Sequence, residues 1–380
     1  MKTRDLIDWL RLVQIPGLGP VGIRRLLGHF GHPQAVVQAS EPEYREVPGI
    51  RPTMVDSLLN FRKKIPSEPF KDQLQHLHQL GAVVITLGDD AYPPMLAQIH
   101  DPPPVLYIQG DLACMAAPRM MAVVGSRKAT PKALGLAREI AFSLAGHQVV
   151  VVSGLALGID SAAHRGALDG GGFTVAVAAV GLDICYPARN QELALKIKRQ
   201  GCLLTEAPLG TKPDAFRFPA RNRIISGLTH GALVVEAGEK SGALITARMA
   251  LEQGREVFAV PGDPGAWHSR GNNRLLKEGA GLVETAQDII LEMRWQDAQS
   301  PLHGGQGPRI NTEDFTSSGR LLLQYLANGP IQADELARKS HLTVASLSSI
   351  LLQLELAGVV IRQPGNWFAL QISPTRDTTF

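Results

Sequence analysis

Apolar residues follow helical spacing through the first 80 residues. One amphipathic helix is predicted over 6–13 and ends at Pro16-Gly17, because proline and glycine interrupt a helix. Two further short helices are predicted over 22–30 and 54–62. The segment 1–80 is therefore predicted to be an all-helical domain.

From residue 81 the pattern changes to short runs rich in valine and alanine, separated by helical stretches. Nine strands are predicted, over Val83–Leu87, Val105–Gln109, Met120–Val124, Val149–Val152, Thr174–Val180, Cys202–Thr205, Ala232–Val235, Glu256–Val260 and Gly281–Val283. Six helices are predicted, over Pro131–Ala145, Ser161–Leu168, Asn190–Arg199, Ala243–Gln253, Asn273–Glu278 and Ala286–Met293. Apolar strands that alternate with helices are typical of a parallel sheet covered on both faces. We therefore expect residues 81–294 to form an α/β domain with a mostly parallel sheet.

The C-terminal part of the chain has a different pattern. Residues 295–318 have no periodicity and are rich in Gly, Pro, Gln and Ser, which predicts a linker. Three helical stretches then precede two short strands that flank Pro364-Gly365-Asn366. These stretches cover 319–327, 333–340 and 343–357. Three helices followed by a hairpin predict a winged-helix domain over 319–380.

The third helical stretch of this domain bears on its role. It contains Glu355 and no lysine or arginine, and Arg362 in the following strand is the nearest positive charge. A helix that reads a DNA groove needs side-chain donors for phosphates and bases. Protein contact is therefore predicted for this domain in preference to DNA reading.

Composition narrows the class of protein. Hydrophobic residues make up 44% of the 380 residues and charged residues 19%, which excludes disorder of the whole chain. Asp5 and Asp8 interrupt the stretch that a signal peptide would need, and no run of 18 apolar residues follows, so we expect a cytoplasmic protein without a membrane partner. The net charge of +3 does not by itself indicate nucleic acid. The cysteines, Cys114, Cys185 and Cys202, are widely spaced and indicate neither a zinc site nor a disulfide framework.

Two glycine turns stand out in the helical segment. Gly17-Leu-Gly19-Pro-Val-Gly22 matches the dinucleotide pattern G-x-G-x-x-G, but a helix precedes it where that motif needs a strand. Ile15–Gly19, echoed by Val47–Ile50, instead predicts a helix-hairpin-helix, whose turn lets backbone N–H groups face a phosphate. Only Arg24 and Arg25 lie close by, so DNA contact and structural packing both stay open.

Small polar residues follow two of the predicted strands. Gly125-Ser126-Arg127 comes after the strand at 120–124, and Ser153-Gly154 after the strand at 149–152. Ligands of open α/β sheets lie at the carboxyl ends of strands, where small residues let the backbone approach and helix N-termini favour anions. Ordinary turns use the same residues, so a phosphate site and a plain turn both stay open here.

A basic and aromatic cluster lies further along the chain. Phe216–Arg223 holds three arginines and two phenylalanines in a chain that is 5% aromatic. Arginine binds phosphates bidentately and phenylalanine stacks on bases, which predicts nucleic-acid contact; a solvated basic loop is the alternative. Lys240-Ser241-Gly242 precedes the helix predicted over 243–253 and offers donors at a helix N-terminus, while Glu236 and Glu239 temper the charge.

Motifs of catalysis are missing from the sequence. It contains no G-x-S-x-G elbow, no H-E-x-x-H and no G-x-x-x-x-G-K-[ST]. His164 is interpreted as a structural helix histidine and Asp160 as a helix cap. We expect no catalytic residue, no metal and no cofactor.

These motifs together resemble the DprA/Smf family, the DNA-processing proteins of natural transformation. The matching segments are Val124-Gly-Ser-Arg127, Ser153–Asp160 with Ala163-His164, Phe218–Ser226, Val235-Glu-Ala237 with Lys240-Ser-Gly242 and Thr246-Ala247, and Pro261-Gly262. They follow family order over about 140 residues. The flanks are similar to the family's N-terminal SAM-like or helix-hairpin-helix domain and its C-terminal winged helix.

The resemblance implies an extended Rossmann-like domain that binds single-stranded DNA, loads RecA onto it during natural transformation and forms a homodimer, without hydrolysis. Carried over by motif, the phosphate contacts are Arg127, Arg221, Arg223 and Lys240. Phe218 stacks on a base or supports its loop. Backbone and hydroxyl donors come from Gly125, Ser126, Ser153 and Gly154, and Asn222, Ser241 and Gly242 complete the DNA-binding set.

Two other functions stay open. One is a nucleotide-processing enzyme on a Rossmann-like fold, such as a phosphoribohydrolase with P-G-G-x-G-T-x-x-E. The nearest segment here, Pro261–Gly265, lacks the Thr and the Glu of that motif. The other is a nucleotide-sensing module with no DNA role.

Overall fold

A computed structural model describes most of the chain. It covers residues 3–64, 68–295, 317–326, 331–340, 342–356, 360–363 and 367–370. The chain separates into two compact units, Met1–Ala298 and Gln299–Phe380. The linker predicted over 295–318 lies outside the described residues except at its ends, and the domain boundaries stay predictions. In the described part of the chain, no helix combines the length and apolarity that a membrane span requires.

Six helices open the first unit. They are α1 Thr3–Val13, α2 Pro20–Phe30, α3 Pro33–Gln38, α4 Glu41–Glu46, α5 Pro52–Lys64 and α6 Glu68–Gln79. The turns before α2 and α5 contain Gly17 at φ +76° and Gly49 at φ +79°, a conformation that favours glycine. Proline occupies the first position of both following helices, where its missing N–H costs no helical hydrogen bond.

These helices pack on the sheet through a shared core. Trp9, Leu10 and Tyr44 from the helices join one buried cluster with Val105 and Tyr107 from the adjoining strand. The helical segment is therefore a covering layer of the first unit, held by apolar burial.

A nine-stranded sheet forms the centre of the first unit. Its strands are β1 Ala82–Thr86, β2 Val105–Gly110, β3 Met120–Val124, β4 Val150–Ser153, β5 Thr174–Val177, β6 Gly201–Thr205, β7 Gly231–Val234, β8 Glu256–Ala259 and β9 Gly281–Leu282. Their order is β1-β2-β6-β5-β4-β3-β7-β8-β9. The β1–β2 and β2–β6 pairs are antiparallel and the other pairs are parallel. The predicted mostly parallel sheet is confirmed.

Helices cover both faces of this sheet. They are α7 Pro94–Ala97, α8 Pro131–Gly146, α9 Ile159–Asp169, α10 Gln191–Arg199, α11 Arg217–Gly227, α12 Ala243–Glu252, α13 Arg270–Lys277 and α14 Ala286–Glu292. Alternate residues of β3 face opposite sides, because strand side chains alternate. Met121 and Val123 join the cluster of α8, α9 and α14, whereas Ala122 and Val124 join that of α11 and α12.

Helix α11 is an element that the sequence analysis does not predict. It covers most of the basic and aromatic cluster interpreted as a loop or contact segment. Pro219 lies in its first turn, where a proline is tolerated. The helix fixes which arginines point inward and which point outward.

The second unit contains three helices and a small sheet within its described residues. They are α15 Ser317–Leu326, β10 Ile331–Gln332, α16 Ala333–Ser340, α17 Val344–Leu356, β11 Val360–Gln363 and β12 Trp367–Leu370. The antiparallel sheet has the order β10-β12-β11, and Leu322, Leu336 and Phe368 lie in the core. The predicted helices and hairpin strands are present. The short strand β10 is not predicted, and residues 364–366 lie outside the described residues.

Candidate nucleic-acid interface

The order of the strands reverses direction at β3. The crossover through α8 places β4 on one side of β3, whereas the return from β6 through α11 places β7 on the other side. Ligands of open α/β sheets bind beyond the carboxyl ends of the strands at such a switch point. A cavity of about 1070 Å³ lies there, lined by the loops after β3 and β7 and by α11 and α12. We refer to it as the switch cavity.

Nine of the twelve predicted site residues line the switch cavity. They are Gly125, Ser126, Arg127, Phe218, Arg221, Asn222, Lys240, Ser241 and Gly242. Three segments that are distant in the chain thus meet at one cavity. Ser153, Gly154 and Arg223 are not among the lining residues.

The loop after β3 is held tightly against its neighbours. Ser126 N–H donates to the carbonyl of Glu236 at 2.7 Å, and the Ser126 hydroxyl accepts from Lys128 N–H at 3.1 Å. Gly158 approaches so closely that a Cβ there would lie 2.2 Å from the Ser126 carbonyl oxygen. The loop is therefore preorganised.

Arg127 is exposed at this loop and lies over an aromatic ring. Its guanidinium carbon is 5.1 Å from the centroid of the Phe218 ring, and the ring of Tyr186 is 5.4 Å from the same centroid. A cation over a ring face is held by the ring's quadrupole. Within the described residues no carboxylate pairs with Arg127, so its charge is available to an anion.

Arg221 is buried beneath the cavity. Its Nη1 donates to the carbonyls of Gly154, at 2.8 Å, and Val177. Burial lowers the pKa of Arg221 to about 10, against the attraction of Asp160, so it stays a cation at neutral pH. Burial also raises the pKa of Asp160, against the attraction of Arg221.

Ser153 and Gly154 use their donors inside the protein. The Ser153 hydroxyl, fully buried, donates to the carbonyl of Val123 at 2.6 Å. Gly154 N–H donates to Asp160 Oδ2 at 3.0 Å, and Ala156 N–H donates to the same oxygen at 3.3 Å. Asp160 thus fastens the loop after β4, which differs from the helix-capping role predicted for it. The geometry does not support a DNA contact by Ser153 or Gly154.

Arg223 has a structural environment as well. Its Nε donates to Asp101 Oδ2 at 2.9 Å, and its Nη2 donates to Glu206 Oε2 at 2.6 Å. Only 8% of the residue is exposed. Both carboxylates compete with any phosphate, so the geometry argues against the predicted phosphate contact.

Glu236 has a role that the sequence analysis does not predict. It is 5% exposed and accepts from Thr130 N–H at 3.0 Å and from the Thr130 hydroxyl at 2.6 Å. Thr130 in turn caps α8. His268 Nδ1 lies 3.4 Å from Glu236 Oε2. Glu236 therefore joins the segment before α8 to the turn after β8 instead of tempering the charge of the cavity.

His164 lies in the core. Its Nδ1 is 2.7 Å from the Thr174 hydroxyl oxygen, and that hydroxyl donates to the carbonyl of Val151. Because the Thr174 hydroxyl donates its proton to Val151, it accepts from the histidine, and His164 therefore carries its proton on Nδ1. Burial lowers the pKa of His164 to about 3. The structural interpretation of this histidine is confirmed.

The switch cavity is also lined by residues that the predicted set does not include, and four of them carry a cationic or aromatic side chain. These four are Lys128, Tyr186, Trp267 and Arg270. Lys128, Trp267 and Arg270 are exposed, and Trp267 lies in a short 3-10 turn, Trp267–Ser269, between β8 and α13. The sequence offers one clue to Trp267 and Arg270, because they follow β8 and so lie at the same carboxyl edge of the sheet as the predicted residues.

The fold and the site define a class: an open α/β protein whose switch-point cavity carries exposed cations beside aromatic rings. The model of the family described as DNA recombination-mediator protein A matches residues 83–294, and that of the DprA winged helix domain matches residues 312–366. The chain belongs to the DprA/Smf family of DNA recombination mediators.

Two relatives match almost the whole length of the chain. It is 33% identical to protein Smf of Synechocystis over 396 residues, which span 96% of this chain and 98% of that protein. It is 35% identical to protein Smf of Escherichia coli, across 97% of this chain and 96% of that protein. The order of the parts is therefore common to these proteins.

Two solved structures agree with the fold. DprA of Streptococcus pneumoniae matches with a TM-score of 0.67 and 34% identity, across 75% of this chain and 97% of that chain. DprA of Helicobacter pylori matches with a TM-score of 0.52 and 29% identity, across 56% of this chain and 95% of that chain. The Helicobacter protein is described as binding single-stranded DNA.

Proposed function

We propose that this protein binds single-stranded DNA in the switch cavity. The observation that carries the proposal is the exposed guanidinium of Arg127, which is unpaired among the described residues and stacked on Phe218 in the lining of the cavity. Lys240 supplies a second exposed cation at the same cavity. The single-stranded DNA binding described for the Helicobacter relative supports the same ligand.

The residues divide the work of binding. Arg127 and Lys240 bind phosphates, since charge-assisted contacts to phosphate oxygens are strong. Gly125, Ser126, Asn222, Ser241 and Gly242 line the cavity beside them and form its polar walls. Arg221 binds no phosphate and holds the loop after β4 beneath the cavity. Bases that are unpaired can enter such a cavity, whereas a duplex keeps its bases stacked inside.

We further propose that the bound strand is handed to RecA, as a step in recombination during natural transformation, without turnover of a nucleotide by this protein. Membership of the recombination-mediator family supports this role. The sequence has no phosphate-binding P-loop, so the energy of loading would come from RecA's own ATP chemistry.

A homodimer built through the first unit completes the proposal. Two cavities on one strand raise avidity through effective concentration. Phe142 on α8 is 52% exposed and Leu291 on α14 is 51% exposed, and these two helices pack together. We propose these two side chains as part of the dimer contact. Light scattering of the purified protein tests the dimer.

The test of the function is a competition experiment with the full chain. A labelled oligothymidylate is bound and then displaced with unlabelled single strand or duplex of equal length. We expect the single strand to compete more strongly, because the cavity takes unpaired bases. Equal competition by duplex would contradict the proposal. Incubation with nucleoside monophosphates is the parallel control, and release of a ribose phosphate would favour the phosphoribohydrolase alternative.

A further inference from the structure

Trp267 is a large apolar ring left in water at the switch cavity. Its exposed fraction is 69%, although it lines the cavity. Keeping an indole hydrated is unfavourable, since aromatic side chains gain most from burial. An exposed indole beside unpaired cations therefore offers a surface that a flat ligand would cover.

The turn that carries Trp267 is fixed on both sides. Gly271 N–H donates to the carbonyl of Ala237 at 2.9 Å, and Ser269 N–H donates to the carbonyl of Ala266 at 3.1 Å. His268 reaches buried Glu236, the residue that also holds the loop before α8. The indole itself lies against Gly238, where a Cβ would be 3.5 Å from its Cε3 atom. The backbone of the turn is therefore held in place, and one edge of the indole packs against Gly238.

Phe218, the other candidate for stacking, is already engaged. Arg127 covers its ring at 5.1 Å, and Tyr186 packs against it at 5.4 Å. The ring of Phe218 thus supports Arg127. Two roles were open for Phe218, stacking on a base and supporting its loop, and these contacts favour the supporting role.

We propose that Trp267 is the residue on which a base of the bound single strand stacks, in the same cavity as the phosphate contact at Arg127. The inference rests on the proposed function of the switch cavity. Every base has a π-face, so stacking on an indole is tolerant of sequence. Trp267 would then let the cavity hold a base as well as a phosphate.

The experiment compares a normal and an abasic strand. Full-length wild type, Trp267→Ala and Trp267→Phe are titrated with labelled oligothymidylate and with an abasic deoxyribose-phosphate oligomer of equal length. We expect Trp267→Ala to weaken oligothymidylate binding by about 5- to 150-fold, the range measured for loss of base–aromatic stacking. Binding of the abasic strand should change less than twofold. Trp267→Phe keeps a ring and should retain most of the affinity.

Phe216→Ala is the matched control. Phe216 is another exposed aromatic residue, at 62%, but it does not line the cavity and its ring is stacked by Arg217 at 5.1 Å. Its replacement should leave both affinities unchanged. Thermal unfolding of each variant verifies that the fold is intact, and quenching of tryptophan fluorescence by DNA should be reduced in Trp267→Phe.

The outcomes separate this inference from the proposed function. If wild type binds neither strand, the proposed function fails. If wild type binds and Trp267→Ala binds oligothymidylate equally well, the stacking role is overturned and the function stands. Equal weakening for the normal and the abasic strand would show a structural role of Trp267 and would also overturn the inference.

Discussion

Two groups of side chains in the first unit, one lining the switch cavity and the other largely buried around it, have opposite surroundings. The cavity rim, composed of Arg127, Lys240, Trp267 and Arg270, is exposed, and no ion pair joins its cations to a carboxylate in the described part of the chain. The buried frame, composed of Asp160, His164, Arg221 and Glu236, is covered, and each member has internal hydrogen-bond partners. The difference teaches that a charged side chain is available to a ligand only where no other group of the protein already binds it. Rim substitutions should therefore change affinity, and frame substitutions should change stability.

The largest effect is expected in the buried frame. Arg221→Ala would remove the buried cation that attracts the carboxyl group of Asp160 and donates to the carbonyls of Gly154 and Val177. Removing one member of such a buried charged network costs about 3–5 kcal/mol of unfolding free energy. Denaturant unfolding measures the loss. Arg217→Ala, on the same helix but half-exposed and stacked on Phe216, is the control and should stay within about 0.5 kcal/mol of wild type. A stable Arg221→Ala protein would mean that the frame is not a structural unit.

The next effect belongs to the cavity rim. Arg127→Ala removes a charge-assisted contact worth about 1.5–3 kcal/mol, so affinity for single-stranded DNA should fall about 10- to 150-fold. The melting temperature should not change, because the side chain is exposed. Arg165→Ala, an exposed arginine on α9 that does not line the cavity, should bind as wild type does. Normal binding by Arg127→Ala would place the DNA elsewhere.

A smaller effect concerns pH and the frame. The pKa of His164 is about 3 in the folded protein and about 6.5 when unfolded, so only the unfolded chain takes up this proton between those values. The contribution of His164 is thus fully present above pH 6.5 and is lost as pH falls, at about 1.4 kcal/mol per unit. Denaturant unfolding from pH 7.5 to 5.5 checks this slope. An NMR titration should show the folded ring unprotonated in that range, and protonation near pH 6.5 would contradict the burial argument.

The smallest effect is expected from removal of the second unit, which contributes no residue to the cavity rim or to the buried frame. Residues 301–380 carry six basic and six acidic side chains, and α17 contains no cation. Their removal should leave single-strand affinity within a few-fold of wild type, measured by fluorescence anisotropy. A loss as large as that of Arg127→Ala would show that the winged helix binds DNA itself.

The sheet could be predicted closely because its strands are continuous apolar runs. Eight of the nine predicted strands agree with the structure within one residue at each end, and only β5 ends earlier, at Val177. Helix α11 was not predicted, since its charged and proline-containing segment has no clear apolar face. Packing against α12 supplies that helix with the partner that the local pattern does not reveal.

The candidate site could be predicted in position but not in detail. The glycine and serine residues after the predicted strands indicate where the switch cavity lies, because the carboxyl ends of parallel strands meet at one edge of the sheet. The partners of Arg223 are Asp101 and Glu206, of which Asp101 lies 122 residues away in the chain, so its burial left no local signal. The position of Trp267 at the cavity could likewise not be predicted, because it depends on the folded chain bringing the turn after β8 beside the loop after β7.

The dependence of binding on salt tests the central claim most directly. Oligothymidylate affinity of the full chain is measured over a series of salt concentrations for wild type and for Arg127→Ala. Each phosphate neutralised contributes a slope of roughly −0.7 for a single strand, so the two contacts proposed at Arg127 and Lys240 predict a wild-type slope of about −1.4. The account predicts that Arg127→Ala is shallower by about 0.7, the share of one phosphate contact. Identical slopes for the two proteins would contradict the assignment of the switch cavity as the site of single-stranded DNA.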